Sequence, residues 1–251
     1  MAKVLYERVG AASLLTIDRP ERRNAIDGQT AEELLAGYRS FEADEDAHVL
    51  VITGSGEKAF SAGADLKAIE TLGPRVDSAE GVLGFTRLVS PKPTIAAISG
   101  WCLAAGVVLA LWCDLRIATE DARFGFPDRK WGVPILDGGT KRLAATVGVS
   151  NALDLAMTGR EIDAREAHRL GLVNEVVANG RHVERSLELA ELLAGFPQET
   201  LRADRLAIRE SLDGALLDTF AGEAAVARAT ADVATRGAGE FSARGRSPST
   251  S

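Results

Sequence analysis

Two stretches of small residues carry the chain's most specific chemistry. Ala59-Phe60-Ser61-Ala62-Gly63-Ala64-Asp65-Leu66 follows the apolar run Val49-Leu50-Val51-Ile52-Thr53, and Gly100-Trp101-Cys102-Leu103-Ala104-Ala105-Gly106 follows Thr94-Ile95-Ala96-Ala97-Ile98. Each reads as a turn from a β-like run into a helical pattern. Small side chains let backbone N–H groups approach a ligand closely, and the first N–H groups of a helix have no partner inside it. Two such turns can aim two donors at one oxygen, which is what an oxyanion hole requires. One glycine turn between strand and helix is a generic α/β connection; the pair in this order is far more specific. The competing reading is two structural turns with no bound ligand.

The pairing of Phe60-Ser61-Ala62-Gly63-Ala64-Asp65-Leu66 with Ala96-Ala97-Ile98-Ser99-Gly100 and Cys113-Asp114-Leu115-Arg116-Ile117-Ala118 resembles the crotonase superfamily, the enoyl-CoA hydratase/isomerase group. Arg19-Pro20, Asn24-Ala25-Ile26, the segment from Ala122-Arg123-Phe124-Gly125 to Gly138-Gly139-Thr140, and Gly171-Leu172-Val173-Asn174-Glu175 extend the resemblance. It runs from about residue 4 to about 210 and is loose beyond that.

The resemblance implies an acyl-CoA enzyme that holds a thioester enolate between the backbone N–H groups of Ala64 and Ala105. Coenzyme A would be part of the substrate, with no separate cofactor and no metal. Family hydratases add water with two glutamates. By the match the first falls on Val108, which can neither take nor give a proton, and the second on Asp128, a carboxyl group with a shorter reach by ~1.5 Å. Asp137, on the same loop as Asp128, is a candidate replacement and equally a cap for the helix expected near Thr140. Asp128 itself is either a proton carrier or a surface ion-pair partner of Arg129, Lys130 or Arg123. For the CoA end the resemblance puts the backbone at Ala62, Ala64 and Leu66 against the adenine. Arg22 and Arg23, beside Ala25, could meet phosphates or simply be solvated. Asp65 is placed to serve its turn, and Trp131 could line the acyl tunnel beside Val108.

No histidine stands in a nucleophile motif, no Cys/His cluster has metal spacing, and no glycine run has dinucleotide or P-loop spacing. The catalytic candidates are therefore those that the resemblance implies, Asp128 and Asp137. A net charge of −7 disfavours nucleic acid and anionic membranes as partners. Cys102 and Cys113, both in apolar runs, read as reduced core residues. With no signal-peptide pattern and no membrane-length apolar run, a cytoplasmic location is expected.

The elements that must position these residues follow from periodicity. Strands are expected over 4–8 and 12–17, joined by a turn at 9–11, and then over 49–53, 94–98, 115–118 and 172–177. Helices are expected over 30–45, 104–112, 140–157 and 163–170, with an interrupted helical segment over 66–90 and helix throughout from 183 to about 240. Strands alternating with helices indicate an α/β class with parallel pairing. The resemblance adds a spiral of ββα units, placing a core at 1–190 and a C-terminal helical oligomerisation region at 191–243 that makes a homotrimer or dimer of trimers. Residues 244–251 are expected to be disordered.

Overall fold

The computed structural model describes residues 2–213 and 216–244. Its first strands, β1 (Val4–Val9) and β2 (Ala12–Ile17), form the expected antiparallel hairpin. Three apolar runs become the buried strands β3 (Val49–Gly54), β5 (Thr94–Ile98) and β7 (Leu115–Thr119). Five further strands are only three residues each: β4 (Ala59–Ser61), β6 (Trp101–Leu103), β8 (Arg123–Gly125), β9 (Glu161–Asp163) and β10 (Glu175–Val177).

The strands sort into two sheets, one ordered β1-β2-β3-β5-β7-β10 and the other β4-β6-β8-β9. From β2 through β10 the first sheet is parallel, and β4, β6 and β8 are parallel in the second. The chain therefore alternates, laying β3, β5 and β7 in the large sheet and then β4, β6 and β8 in the small one. The helix α2 (Ala105–Trp112) follows β6. This is the ββα spiral that the resemblance implies, and the periodicity of the sequence does not reveal it. A three-residue strand is too short to display a period of two.

Alternate residues of each long strand enter opposite layers, as the pleat demands. Leu50 and Ile52 join Leu34, Tyr38 and Phe41 of α1 (Gly28–Ala43), while Val49 and Val51 pack toward Leu187 and Ala190 of α6 (His182–Ala194). Burial on both faces explains why these strands read as continuous apolar runs. Helix α1 starts where Asp27 accepts a hydrogen bond from the Thr30 N–H at 2.9 Å. Cys102 and Cys113 are free and buried, and burial pushes the Cys113 thiol up to about 12.

Two expectations need correction. The single helix over 140–157 is two, α3 (Gly139–Val147) and α4 (Val149–Thr158), because Gly148 adopts φ +80° between them. The segment 66–90 has only short 3₁₀ turns at Leu66–Thr71 and Gly73–Arg75. Its remainder is irregular and held by arginines: Arg75 donates to Gly81 and Val82 carbonyls, and Arg87 to those of Val76 and Ser78.

After α5 (Ala164–Arg169) and α6 the chain continues as α7 (Gln198–Asp213), α8 (Leu216–Ala229) and α9 (Ala231–Arg244). Helix α7 is tied to the spiral by Arg205 and Arg209, which reach Asp114 at 2.7 and 2.6 Å. Helix α9 lies across the 3₁₀ turns at 66–71 and 127–131, with Phe241 edge-on to Trp131 at 5.5 Å. Among the described residues no helix is long and apolar enough to cross a membrane. Of the tail expected to be disordered, 244–251, Arg244 is the last residue of α9 and 245–251 lie outside the described residues.

Candidate active site

Three neighbouring strands of the small sheet end at the candidate residues. The turn after β4 carries Ala64, the turn after β6 carries Ala105, and the 3₁₀ turn Pro127–Trp131 after β8 carries Asp128. Since β4, β6 and β8 are adjacent and parallel, their carboxyl ends fall on one rim, spaced by roughly 5 Å per strand. Ligands in open α/β sheets bind at such carboxyl ends.

The two turns that carry Ala64 and Ala105 touch. A Cβ on Gly63, which has φ +92°, would lie 2.8 Å from the Ala105 nitrogen and 2.9 Å from the Ala104 Cβ. Only glycine permits that approach with that backbone. The Gly63 turn is anchored by a bridge between Ile26 and Ala64, in which Ile26 donates to Gly63 and Asp65 donates to Ile26. This bridge leaves the Ala64 N–H unused, and the Ala105 N–H opens α2. Neither has a partner among the described residues. Ala104, before α2, sits at φ +53°, ψ −121°. A non-glycine residue there is strained, and such strain concentrates at functional turns.

Asp128 is 8% exposed, and its Oδ1 has no hydrogen-bond partner. Burial raises its pKa to about 6, opposed only in part by the Arg129 charge and by backbone N–H groups. The surface ion pair is not formed. Arg129 donates instead to the Ala156 carbonyl, and Arg123 faces Asp163. A desolvated carboxyl group that titrates near neutrality, on the rim that carries two free N–H donors, suits proton transfer.

Val108 lies on α2, 2% exposed, against the loop that follows Asp128. A Cβ on Gly139 would meet Val108 Cγ2 at 2.6 Å and Ile135 Cγ2 at 2.7 Å. Asp137, on that loop, is not a helix cap: Gly138 occupies the N-cap of α3 and makes no side-chain cap bond. The Asp137 carboxylate instead accepts from Leu83 N at 3.1 Å and Thr86 Oγ1 at 2.5 Å, and pairs with Arg87 Nε at 3.0 Å. These partners tie it to the 81–87 segment, an anchoring role that the two alternatives read from the sequence, proton transfer and a helix cap, did not include. The α3 N-terminus is capped from α8, where Glu223 accepts from Gly138 N at 2.7 Å and Thr140 Oγ1 at 3.0 Å. Sequence reasoning missed Glu223, which lies in the loosely similar tail where no motif or spacing marks it.

The other candidates are scattered. Ala62 and Leu66 are half-buried on the Gly63 turn, and Trp131 is half-buried under α9. The Asp65 carboxylate pairs with Arg19 at 3.0 Å and caps Lys67 N, so it serves the turn. Ala25 is buried, and its carbonyl accepts from Arg19. Arg22 is exposed. Arg23 lines two surface cavities of about 340 and 420 Å³, together with Glu57 and Lys58. These open at Ala59 and Trp101, the beginnings of β4 and β6, and so at the far end of the small sheet from the Ala64 and Ala105 turns.

The two-sheet ββα spiral with its C-terminal helices is the crotonase fold. A family model described as enoyl-CoA hydratase/isomerase matches residues 7–247, and the chain belongs to that enzyme family. It is 40% identical over 216 residues to a probable enoyl-CoA hydratase of Rhizobium meliloti (strain 1021), covering 84% of this chain and 82% of the relative. It is 35% identical to the 2,3-dehydroadipyl-CoA hydratase of Escherichia coli (strain K12), covering 86% of this chain and 85% of that one. Among solved structures, carnitinyl-CoA hydratase from Mycobacterium avium superposes with a TM-score of 0.86 at 33% identity, covering 97% of both chains.

Proposed function

We propose that the protein acts on an acyl-CoA thioester by holding its enolate between the N–H groups of Ala64 and Ala105 while Asp128 carries the proton. The observation that carries this reading is the contact of the two turns at Gly63 and Ala105, which leaves both N–H groups without partners on the rim that also holds Asp128. Each donor of this kind is worth about 3–4 kcal/mol of barrier. Asp128, ionised above a pKa of about 6, takes a proton from one carbon. The electron pair moves into the thioester carbonyl, and the two N–H groups stabilise the resulting oxyanion. Return of the proton to the γ-carbon shifts the double bond; return to the α-carbon exchanges it.

That cycle needs one carboxyl group, which fits a chain with valine at 108. Isomerisation of 3-enoyl-CoA to 2-enoyl-CoA is therefore favoured, with simple hydration slow. A proton-transfer group typically contributes 10²–10⁴-fold. The test runs 2-enoyl- and 3-enoyl-CoA of short, medium and long chain in parallel with the wild type and Val108→Glu. The expected result is isomerisation in the wild type, with weak hydration that Val108→Glu raises. Hydration at rates ordinary for a two-glutamate enzyme, insensitive to Asp128→Asn, would contradict the assignment. Binding without turnover of any enoyl-CoA would leave only an acyl-CoA-binding role.

A further inference from the structure

We infer that Glu223, carried by the C-terminal helix α8, is a second proton-carrying carboxyl group of this site, serving water addition where Val108 supplies none. The inference rests on the enolate reading above.

Three observations carry it. Glu223 is a carboxyl residue only 7% exposed, on an element that otherwise lies outside the spiral. Its oxygens meet Gly138 N–H and Thr140 Oγ1, so the carboxyl group flanks Gly139, and Gly139 is the residue pressed against Val108. The carboxyl group thus meets, from α8, the same start of α3 that Val108 meets from α2. The helix is also fixed in place, because Phe220 stacks over the Arg87 guanidinium at 5.5 Å and Arg228 pairs with Asp77. Each Glu223 oxygen spends one lone pair on these contacts and keeps another for water.

The charges around it suit the task. Burial raises the Glu223 pKa above that of an ordinary glutamate and the Asp137 charge adds to this, whereas Gly138 N–H, Thr140 and Arg87 oppose it. In the hydration step the Glu223 carboxylate takes a proton from water as its oxygen bonds to the β-carbon. The pair of the carbon–carbon double bond moves to the carbonyl oxygen between Ala64 and Ala105. Protonated Asp128 then gives its proton to the α-carbon, restoring the thioester. One water is added, one proton leaves Asp128 and one arrives on Glu223, and exchange with solvent resets the pair.

Two reactions separate this role from a structural cap. Hydration of crotonyl-CoA needs both carboxyl groups, whereas exchange of the α-protons of butyryl-CoA with D₂O needs only Asp128 and the two N–H groups. Glutamine at 223 can still accept from Gly138 N–H and donate to Thr140 Oγ1, so Glu223→Gln should fold. It is expected to lower kcat for hydration about a hundredfold and exchange by less than tenfold, with KM little changed. One limb of the hydration pH profile should disappear. In Glu223→Asp, which retains the charge, that limb should persist at reduced kcat, and this variant decides the matter should the glutamine form not fold. Equal loss of both reactions with a lower melting temperature would make Glu223 a structural cap and overturn the proposal. So would unchanged hydration, or a wild type that exchanges without hydrating. A wild type that does neither would show that the enolate reading itself has failed.

Discussion

Asp128 concentrates the site's electrostatics in one side chain. A buried carboxyl group whose pKa rises from 3.8 to about 6 is easier to protonate in the folded chain than in the unfolded one. Its favourable contribution is therefore complete below pH ~3.8 and is lost as pH rises through ~6, leaving a charged, unpaired group at pH 7. A shift of about two units corresponds to a cost of roughly 3 kcal/mol at pH 7. Asp128→Asn should thus raise the melting temperature at pH 7 but not at pH 4, while abolishing isomerisation. In the wild type kcat/KM for isomerisation, which needs the ionised carboxylate, should rise with pH around 6. A lower melting temperature at pH 7, or a flat pH profile, would contradict the assignment. The identity of this residue was legible in the sequence from its place in the loop resemblance; its burial was not. The neighbouring Arg129 and Lys130 suggest a surface, and only the fold shows Arg129 turned away to Ala156. The contacts of Asp137 were not legible either, because Arg87, its partner at 3.0 Å, lies fifty residues earlier in an irregular segment.

At the scale of elements, α2 and the loop before α3 press directly on each other. Gly139 has no room for a methyl group beside Val108 and Ile135. Gly139→Ala should cost on the order of 1–3 kcal/mol through overpacking. Val108→Ala frees the space, so the double variant should be more stable than the sum of the single changes, measured by urea denaturation. Strict additivity would show that the two residues do not press on each other. The long strands and α1 were readable because fully buried strands appear as apolar runs and an amphipathic helix repeats every three or four residues. The small sheet was not readable, although its strand ends carry Ala64, Ala105 and Asp128. Its pairing depends on contacts between β4, β6 and β8 that no local pattern records.

At the scale of the whole molecule, the C-terminal helices both cover the spiral and leave apolar surface open. Leu192, Leu206 and Ile208 are exposed, Ile208 to 75%, as are Val149, Leu153 and Met157 at four-residue intervals along α4. The side chains of Leu212, Leu216 and Leu217, in the same region, lie outside the described residues. Apolar surface of this extent on a −7 chain is expected to close in a trimer or a dimer of trimers. Light scattering at micromolar concentration should give three or six chains, and a stable monomer would refute this assembly.

The proposed chemistry requires two backbone N–H groups to meet one oxygen, and a ligand that itself becomes an enolate reports on that directly. Acetoacetyl-CoA bound by the wild type should show the ultraviolet absorption band of its enolate. Ala105→Pro removes one donor, and should lose that band and bind acetoacetyl-CoA more weakly by a larger factor than free CoA. Absence of the band in the wild type, or equal weakening of both ligands in a folded Ala105→Pro variant, would contradict an oxyanion hole at Ala64 and Ala105.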